Sequence, residues 1–250
     1  MPYRDDIDLN FTGTCNDAEL ADLFGAVVLD KGGNKRLTEL LTVSDVYKNN
    51  APHHSAYWQE LCAEIQMFGG NTFANILRGD QGVLYREILE DVCDKLKVNY
   101  SKVNSTARIE GFLLQKIFDE AVEQMSEEER AKFCKELGIN NTGCNGYAEA
   151  LHFAALTAFK LGGFASYKIA VIVANWVWRL LFNRGLSFAA GSGLTRILGM
   201  WAGPIGWSIT ILWTVFDIAG PAYRVTIPAV IQIALLRQKK MYESLANNME

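Results

Sequence analysis

The feature of this sequence that most constrains its fold is an apolar stretch between positions 151 and 236. It contains an uncharged run from Ile197 to Phe216, which is about the 20 residues that an α-helix needs to cross a bilayer core. Residues that interrupt helices crowd the first half of this run, namely Gly199, Gly203, Pro204 and Gly206. The stretch therefore predicts either a buried helical core or a membrane-active hairpin, and it does not predict one simple span.

Charge is divided unevenly between the two halves of the chain. Residues 1–149 hold 15 Lys and Arg against 25 Asp and Glu, whereas residues 150–250 hold 9 against 3. An acidic half of ordinary composition is thus joined to an apolar and mildly basic half. The cations of the second half are too few and too scattered to neutralise a phosphate backbone, so we expect no nucleic-acid partner.

The first residues and the cysteines both indicate a reducing compartment. The N-terminal sequence MPYRDDIDLN is acidic and lacks an apolar segment, so we expect no secretion through a signal peptide. The 5 cysteines are odd in number and widely separated, which favours the cytoplasm. Neither they nor the 3 histidines have the spacing of a metal site, and no nucleotide-binding or nucleophile motif occurs. We therefore expect no metal, no cofactor and no enzymatic activity.

Helical periodicity runs through nearly the whole chain and strand patterns are almost absent, which predicts an all-α fold. Asn16 and Ser105 are placed as N-caps, and Ser126 with Glu129 has the pattern of a capping box before a helix that Gly138 ends. In the apolar half the predicted helices lie near 147–161, 164–183, 186–199, 205–219 and 222–246.

A turn-rich segment divides the chain into two predicted regions. The sequence INNTGCNG at residues 139–146 favours turns over continued helix, so we predict a linker there. Residues 1–138 form the predicted acidic helical domain, with a leader of about residues 1–35. Residues 147–250 form the predicted glycine- and tryptophan-rich hydrophobic helical hairpin region, with a basic C-terminal end.

Tryptophans and small residues in the second region suggest membrane contact or close helix packing. Indole favours a bilayer interface because its ring is apolar and its N–H needs a partner. The membrane or interface candidates are Trp176, Trp178, Trp201, Trp207 and Trp213. Small residues spaced by four allow close approach of helices, in a membrane or in a soluble core. The small-residue positions are Gly185, Ala189, Gly193, Gly199 and Gly203.

Asp217 is the only acidic residue between Glu149 and Glu243. A carboxylate in an apolar setting either pairs with a cation or takes up a proton, because desolvation raises its pKa. Arg196 and Arg224 are the candidate partners. The group is either a structural ion pair or a pH-sensitive latch whose protonation lets the hairpin enter lipid.

Five sequence blocks carry a family resemblance, namely EIQMFGGNTFANILRG at 64–79, VLYREIL at 83–89, LKV at 96–98, LTRIL at 194–198 and GPAYRVTIPAVIQIA at 220–234. Together these blocks resemble the YaaW family of bacterial proteins. The DIDL sequence at 6–9 is similar to the leader domain of unknown function in the same family. The resemblance implies a bacterial cytoplasmic or inner-membrane protein, with a remote similarity of the acidic half to ubiquinol–cytochrome c reductase chaperones. It supplies no catalytic residue.

The residues that carry the resemblance have a structural interpretation. Gly69 and Gly70 can adopt positive φ or admit a close neighbour, and Pro228 is placed to begin a helix. A polar contact between the two halves, more typical of an ion-pair network than of a ligand site, is predicted for Arg78, Tyr85, Arg86, Tyr223 and Arg224. The family-motif residues are Phe68, Gly69, Gly70, Arg78, Tyr85, Tyr223, Arg224 and Pro228.

Two classes of function remain open at this point. The first is a non-enzymatic membrane-associating or membrane-inserting protein that switches between soluble and lipid-bound states, with a bilayer as partner and pore formation or stress response as outcomes. The alternative is a soluble chaperone or assembly factor that binds a client helix in a groove beside residues 68–70. Its partner would be a protein client or a second copy of the chain. Either class is expected in the cytoplasm or at the cytoplasmic face of the inner membrane.

Overall fold

The computed structural model describes residues 3–30, 32–37, 39–69, 82–140, 142–187 and 222–248. Within these ranges the protein is all-α, as predicted, with 9 α-helices and no β-strand. Several positions that the sequence singled out lie outside the described residues. They are Gly70, Arg78, Ala189, Gly193, Arg196, Gly199, Trp201, Gly203, Pro204, Gly206, Trp207, Trp213 and Asp217.

Six of the helices belong to the acidic half of the sequence. They are α1 (Asp17–Val28), α2 (Asp45–Asn50), α3 (Trp58–Gly69), α4 (Tyr85–Lys95), α5 (Thr106–Gln124) and α6 (Glu127–Leu137). Short 3₁₀ turns lie at Asn10–Thr14, Leu41–Val43 and His54–Tyr57.

Local hydrogen bonds fix where several of these helices begin and end, as the sequence predicted. The Asn16 side chain accepts from the backbone N–H of Glu19 at 3.0 Å, and the Glu19 carboxylate accepts from the N–H of Asn16 at 2.8 Å. Ser126 and Glu129 form the same reciprocal pair at the start of α6, and Gly138 ends that helix at a φ of 71°. These capping groups satisfy backbone donors that the first helical turn leaves free.

Three helices of the apolar half are described, and they match the predicted segments closely. They are α7 (Tyr147–Leu161), α8 (Gly163–Phe182) and α9 (Tyr223–Asn247). The turn between α7 and α8 uses Gly162 and Gly163 at φ values of 75° and 77°, which a residue with a Cβ rarely adopts. The two other helices predicted for this half lie outside the described residues, except for Leu186 and Ser187, which are not helical.

Helix α9 lies at the centre of the molecule. It packs against α1, α3, α4, α5 and α8, and every residue from Val225 to Leu236 is buried. A helix that is apolar on all sides over three turns needs such an enclosed position. One buried cluster extends from Leu9 to Leu236 and takes members from both predicted regions. The boundary at 139–146 stays a prediction about folding units.

Helices α8 and α9 are antiparallel neighbours. The ring of Tyr167 near the start of α8 stacks on Tyr242 near the end of α9, with centroids 5.8 Å apart and an interplanar angle of 8°. The two helices also share the most extensive contact of any described pair, which requires them to run in opposite directions past each other. This pair forms the inner layer on which α1, α5 and α7 pack.

Pro228 lies inside α9, so the prediction that it begins a helix is wrong. Proline has no N–H and cannot donate to the carbonyl four residues earlier, which is that of Arg224. The structure supplies another donor, because Nη2 of Arg36 lies 3.2 Å from the Arg224 carbonyl oxygen. A leader residue distant in sequence therefore replaces the missing backbone hydrogen bond, and the helix continues through the proline.

Candidate functional site

A buried ion pair joins α9 to α5. Arg237 donates through Nε to Oε2 of Glu110 at 2.7 Å, and the Tyr85 hydroxyl donates to Oε1 of the same carboxylate at 2.7 Å. Arg237 also donates to the Asp8 carbonyl at 2.5 Å, and its guanidinium carbon lies 4.4 Å from the Phe11 ring centroid. These residues, Arg237, Glu110, Tyr85 and Asp8, form a group that we call the hub. The hub connects the leader, α4, α5 and α9.

The chemistry of this hub is structural. Burial raises the pKa of the Glu110 carboxyl, and the charge and hydrogen bond of Arg237 offset part of that rise. Both Glu110 oxygens already accept a hydrogen bond, from Arg237 and from Tyr85. Removing one member of a buried pair leaves an uncompensated charge, at a cost of about 3–5 kcal/mol. We interpret the hub as a structural contact that holds the leader against the helical core.

The leader is attached at a second group of polar contacts. Oδ2 of Asp6 accepts from the backbone N–H of Tyr85 at 2.7 Å. The Gln66 side-chain amide accepts from the N–H of Arg4 at 3.1 Å and donates to the Arg4 carbonyl at 2.9 Å. Asp6 thus accepts from a buried backbone donor of α4, and Gln66 of α3 holds the leader backbone at Arg4.

The basic end of α9 is also paired with acids. Glu19 of α1 is 2% exposed and is bound by Lys239 and by Lys240, whose Nζ lies 3.1 Å from Oε2. Burial opposes ionisation of Glu19, but the hydrogen bonds from Lys239, Asn16 and Lys240 lower its pKa below the usual value. Glu243, one turn along α9, also binds Lys239. The cations at this end of the chain are therefore engaged inside the protein.

The structure does not gather the predicted polar contact residues into one cluster. Tyr85 belongs to the buried hub, whereas Arg86 pairs with Glu90 at 2.7 Å on its own helix. Nζ of Lys95 lies over the Tyr223 ring, 5.3 Å from the ring centroid. Tyr85, Tyr223 and Arg224 each take part in a separate contact between the two halves, but the ion pairs between the halves involve Glu110 with Arg237 and Glu19 with Lys239 and Lys240, which the sequence interpretation did not name.

Arg237 and Glu110 form a buried ion pair that sequence reasoning missed. One signal could have found Glu110, because it occupies a position on the apolar stripe of α5 beside Ile109 and Leu113. A charged residue on a buried stripe needs a partner. The partner lies 127 residues away in the sequence, so periodicity alone could not identify it.

Phe68 and Gly69 lie where α3 approaches α4. Phe68 is partly buried against the core. A Cβ on Gly69 would lie 2.3 Å from Cγ1 of Ile88, so only glycine fits there. This close approach agrees with one of the two roles proposed for the glycine pair. It also leaves little room on that side of Gly69 for the client groove that the sequence suggested.

Helix α8 carries two of the tryptophans named as membrane candidates. It is the one helix among the described residues that is long and apolar enough to cross a membrane, and 72% of its 18-residue apolar window is buried inside the protein. Trp176 packs on Phe118 and Phe133, with ring centroids 5.8 Å apart in both cases. Trp178 packs on Phe182 at 4.5 Å. Both indoles lie in the protein core, and their role at a membrane stays a prediction.

Three buried amide or indole donors lie along the α8–α9 pair without an acceptor among the described residues. They are Nδ2 of Asn175, Nε1 of Trp178 and Nε2 of Gln232. Measured from the stacked Tyr167 and Tyr242, Trp178 and Gln232 both lie about 15 Å along their antiparallel helices. Gly185 packs beside this group, because its Cβ position is 3.1 Å from Oδ1 of Asn175.

An exposed apolar surface lies at the corner between α7 and α8. We call it the corner patch, and its exposed members are Phe153, Leu156, Leu161, Phe164 and Leu245, with Tyr242 as a half-buried member. Phe153 is 64% exposed and Leu161 is 76% exposed. Phe164, near the start of α8, extends the patch to α9, because its ring centroid lies 5.4 Å from that of Tyr242 at the end of α9. Leu245 follows Tyr242 by one helical turn and is exposed on α9.

Charged side chains lie at both ends of the corner patch. Lys160 and Lys168 stand four residues before and four after Phe164. At the opposite end of α7, Glu149 is exposed in the first turn. Nε2 of His152, beside Phe153, lies 3.5 Å from Oε1 of Glu123 on α5. The patch therefore has one basic end and one acidic end.

Comparison with known proteins identifies relatives over nearly the whole chain. Residues 53–231 match a family model described as ubiquinol-cytochrome C chaperone, and residues 3–37 match a domain of unknown function, DUF3944. A UPF0174 protein of Helicobacter pylori strain J99 is 49% identical over 239 residues, which are 96% of this chain and 94% of that protein. The UPF0174 protein YaaW of Escherichia coli K12 is 33% identical over 239 residues, 94% of this chain and 95% of its own length.

No solved structure matches the chain significantly. The predicted resemblance is confirmed by these relatives and by the chaperone-type family model. The chain belongs to the UPF0174 family of bacterial proteins, the family of Escherichia coli YaaW.

Proposed function

We propose that this protein is a non-enzymatic chaperone or assembly factor that holds an apolar helix of a client protein on the corner patch. The observation that carries the proposal is the exposure of large apolar side chains at this corner, on a protein whose apolar helices α8 and α9 are largely buried. The family match over residues 53–231 supports it, since that family is described as a chaperone. We place the protein in the cytoplasm.

The corner patch has the features of a helix-binding surface. Phe153 and Leu156 are separated by three residues and so form a ridge on the outer face of α7. Such ridges pack into the grooves of a partner helix. Burying exposed apolar area favours association, and clustered exposed apolar side chains commonly mark interaction sites.

A membrane is the second candidate partner, and α8 is the observation that favours it. Its 20 residues have the length and composition of a span. Insertion would require α8 to leave α9, α5 and α6, and so to expose the packing around Trp176. The chaperone-type match favours the client-binding alternative over insertion.

The test uses the full-length protein and two probes. The first is a fluorescein-labelled helical peptide of about 16 alanine and leucine residues, long enough to form a helix on contact. The second is a vesicle of phosphatidylethanolamine and phosphatidylglycerol, used in a flotation assay. We expect the protein to raise the anisotropy of the peptide and to remain unbound to the vesicles.

A patch variant and a matched control locate the binding site. The patch variant is Phe153→Ser with Phe164→Ser, and the control is Ile7→Ser with Val103→Ser, which changes exposed apolar residues elsewhere. We expect the patch variant to weaken peptide binding by about tenfold and the control to bind as the unaltered protein does. Absence of peptide binding, or equal loss in both variants, would contradict the proposal. Flotation without peptide binding would support the membrane function instead.

A further inference from the structure

We infer that the corner patch selects apolar client helices that are acidic at one end and basic at the other, and that it holds them in one orientation. The acidic end of the client lies at Lys160 and Lys168, and the basic end lies at Glu149 and Glu123. This selectivity rests on the proposed function, because it assumes that the occupant of the patch is a protein helix.

The basic end of the patch is available to a partner. Lys160 is exposed in the last turn of α7, and no described acidic residue forms an ion pair with it or with Lys168. Lys168 is half-buried, and this burial lowers the pKa of its ammonium. An ammonium in that position gains from a nearby carboxylate more than a fully hydrated one does.

The acidic end lies about three helical turns away. Glu149 precedes Lys160 by 11 residues, so their backbones are separated by about 16 Å along α7. Glu123 adds a second carboxylate, 59% exposed, at the level of His152. Apart from His152, the described residues provide no cation that pairs with either carboxylate. The two ends are farther apart than the Debye length of about 8 Å at physiological salt, so each acts on its own part of a partner.

This charge arrangement fits a helix better than a lipid surface. An anionic bilayer would be attracted to Lys160 and Lys168 but repelled by Glu149 and Glu123 on the same face. A peptide helix can carry opposite charges at its two ends and so match both. The strongest cationic cluster, at Lys239 and Lys240, is already bound to acids and does not add attraction for lipid.

Four probe peptides test the selectivity on the full-length protein. All share the alanine and leucine sequence described above and differ only in their ends: Asp at one end and Lys at the other, Asp at both, Lys at both, or uncharged. We expect the mixed peptide to bind roughly threefold to tenfold tighter than the uncharged one, because exposed ion pairs contribute modestly. The advantage should disappear at high salt.

Charge reversal provides the decisive comparison. Lys160→Glu with Lys168→Glu makes both ends of the patch acidic, so the peptide with Lys at both ends should become the tightest binder. The matched control, Lys48→Glu with Lys102→Glu, changes two exposed lysines elsewhere and should retain the preference for the mixed peptide.

Orientation is measured by cross-linking. A benzophenone at the acidic end of the mixed peptide should attach to residues around 160–168, and one at the basic end should attach around 149–153. Attachment at both places from either end would overturn the single orientation. Equal binding of all four peptides would overturn the selectivity but leave the proposed function standing, with the charges serving only the dipole of α7. Failure of every peptide to bind would overturn the proposed function as well.

Discussion

Helices α7 and α8 follow each other in the chain and are both apolar, yet they use their apolar residues in opposite ways. On α8 the largest side chains point inward, and Trp176 and Trp178 are 1% and 0% exposed. On α7 three of the four buried residues are alanines, and several of its large apolar residues point outward. The buried residues of α7 are Ala150, Leu151, Ala155 and Ala158, whereas Phe153, Leu156 and Leu161 are exposed.

The difference shows that average hydropathy does not distinguish a core helix from a binding helix. Helix α7 packs against α5 through its buried residues and through Phe159, whose side chain would lie 3.7 Å from a Cβ on Gly111. This packing leaves Phe153, Leu156 and Leu161 outside the core. Those three groups are therefore free to serve a partner, whereas the rings of Trp176 and Trp178 are required by the fold.

The largest expected effect is on the core helix. Trp176→Ala removes the ring between Phe118 and Phe133 and leaves a cavity, so we expect a loss of about 3–5 kcal/mol in the free energy of unfolding. Urea denaturation followed by circular dichroism measures the change. A loss below about 1 kcal/mol would show that α8 is not held as a core helix and would remove the contrast with α7.

The attachment of α7 to α5 should depend on pH through Asp119. Burial raises the pKa of this carboxyl from 3.8 to about 6, and the charge of Glu123 adds to the rise. The charge of His152, a hydrogen bond from Gln115 and the charge of Lys116 oppose the rise. Because the folded pKa lies above the unfolded one, the fold favours the protonated form. Stability contributed by this group is therefore lost as the pH rises through the interval from about 4 to 6.

Asp119→Asn tests that dependence. We expect the variant to exceed the unaltered protein in stability by about 1–2 kcal/mol above pH 7, after allowance for partial solvent screening, and to equal it below pH 4. Thermal unfolding across this pH range measures the difference, and Asp45→Asn, on an exposed residue, is the control. A pH-independent difference would contradict the titration of Asp119.

A smaller effect is expected inside the α8–α9 pair. Nε2 of Gln232 has no acceptor among the described residues, and an unsatisfied buried donor is destabilising. We expect Gln232→Met, which nearly keeps the volume, to raise the free energy of unfolding by about 1 kcal/mol. A loss of stability would show that the Gln232 amide has a hydrogen-bond partner, and that the interface between α8 and α9 is more polar than the packing of α8 indicates.

The smallest effect on stability is expected at the corner patch. Phe153→Ser and Leu156→Ser change exposed side chains, so each should alter the free energy of unfolding by no more than about 0.5 kcal/mol. Chemical denaturation of the two variants measures this. A loss of about 2 kcal/mol or more would mean that these residues belong to the core, and the contrast between α7 and α8 would fail.

Much of the fold could be predicted where the controlling interaction is local. The capping pairs at Asn16 and Ser126, and the glycine turn before α8, depend on residues within four positions of each other. Predictions that depended on distant partners fared differently. Pro228 was expected to begin a helix, and the donor that lets α9 pass through it is Arg36, 188 residues away.

The candidate site could be predicted less well for the same reason. Tyr85 was singled out as a residue of the family motif, but its hydrogen-bond partner Glu110 and the cation Arg237 come from other helices. The exposure of Phe153 and Leu156 could not be predicted, because the sequence of a helix with apolar residues on both faces does not indicate which face is covered. The corner patch includes residues of α9 only because Tyr242 is brought beside Phe164.

The sequence by itself determined the helical class, the capped helix ends and membership in a bacterial family, since these follow from short-range hydrogen bonds, periodicity and similarity along the chain. Only the tertiary structure decided which apolar residues are core and which are surface. Burial of a side chain depends on which other elements pack against it. Trp176 is covered by residues far away in the sequence, such as Phe118, whereas Phe153 stays exposed.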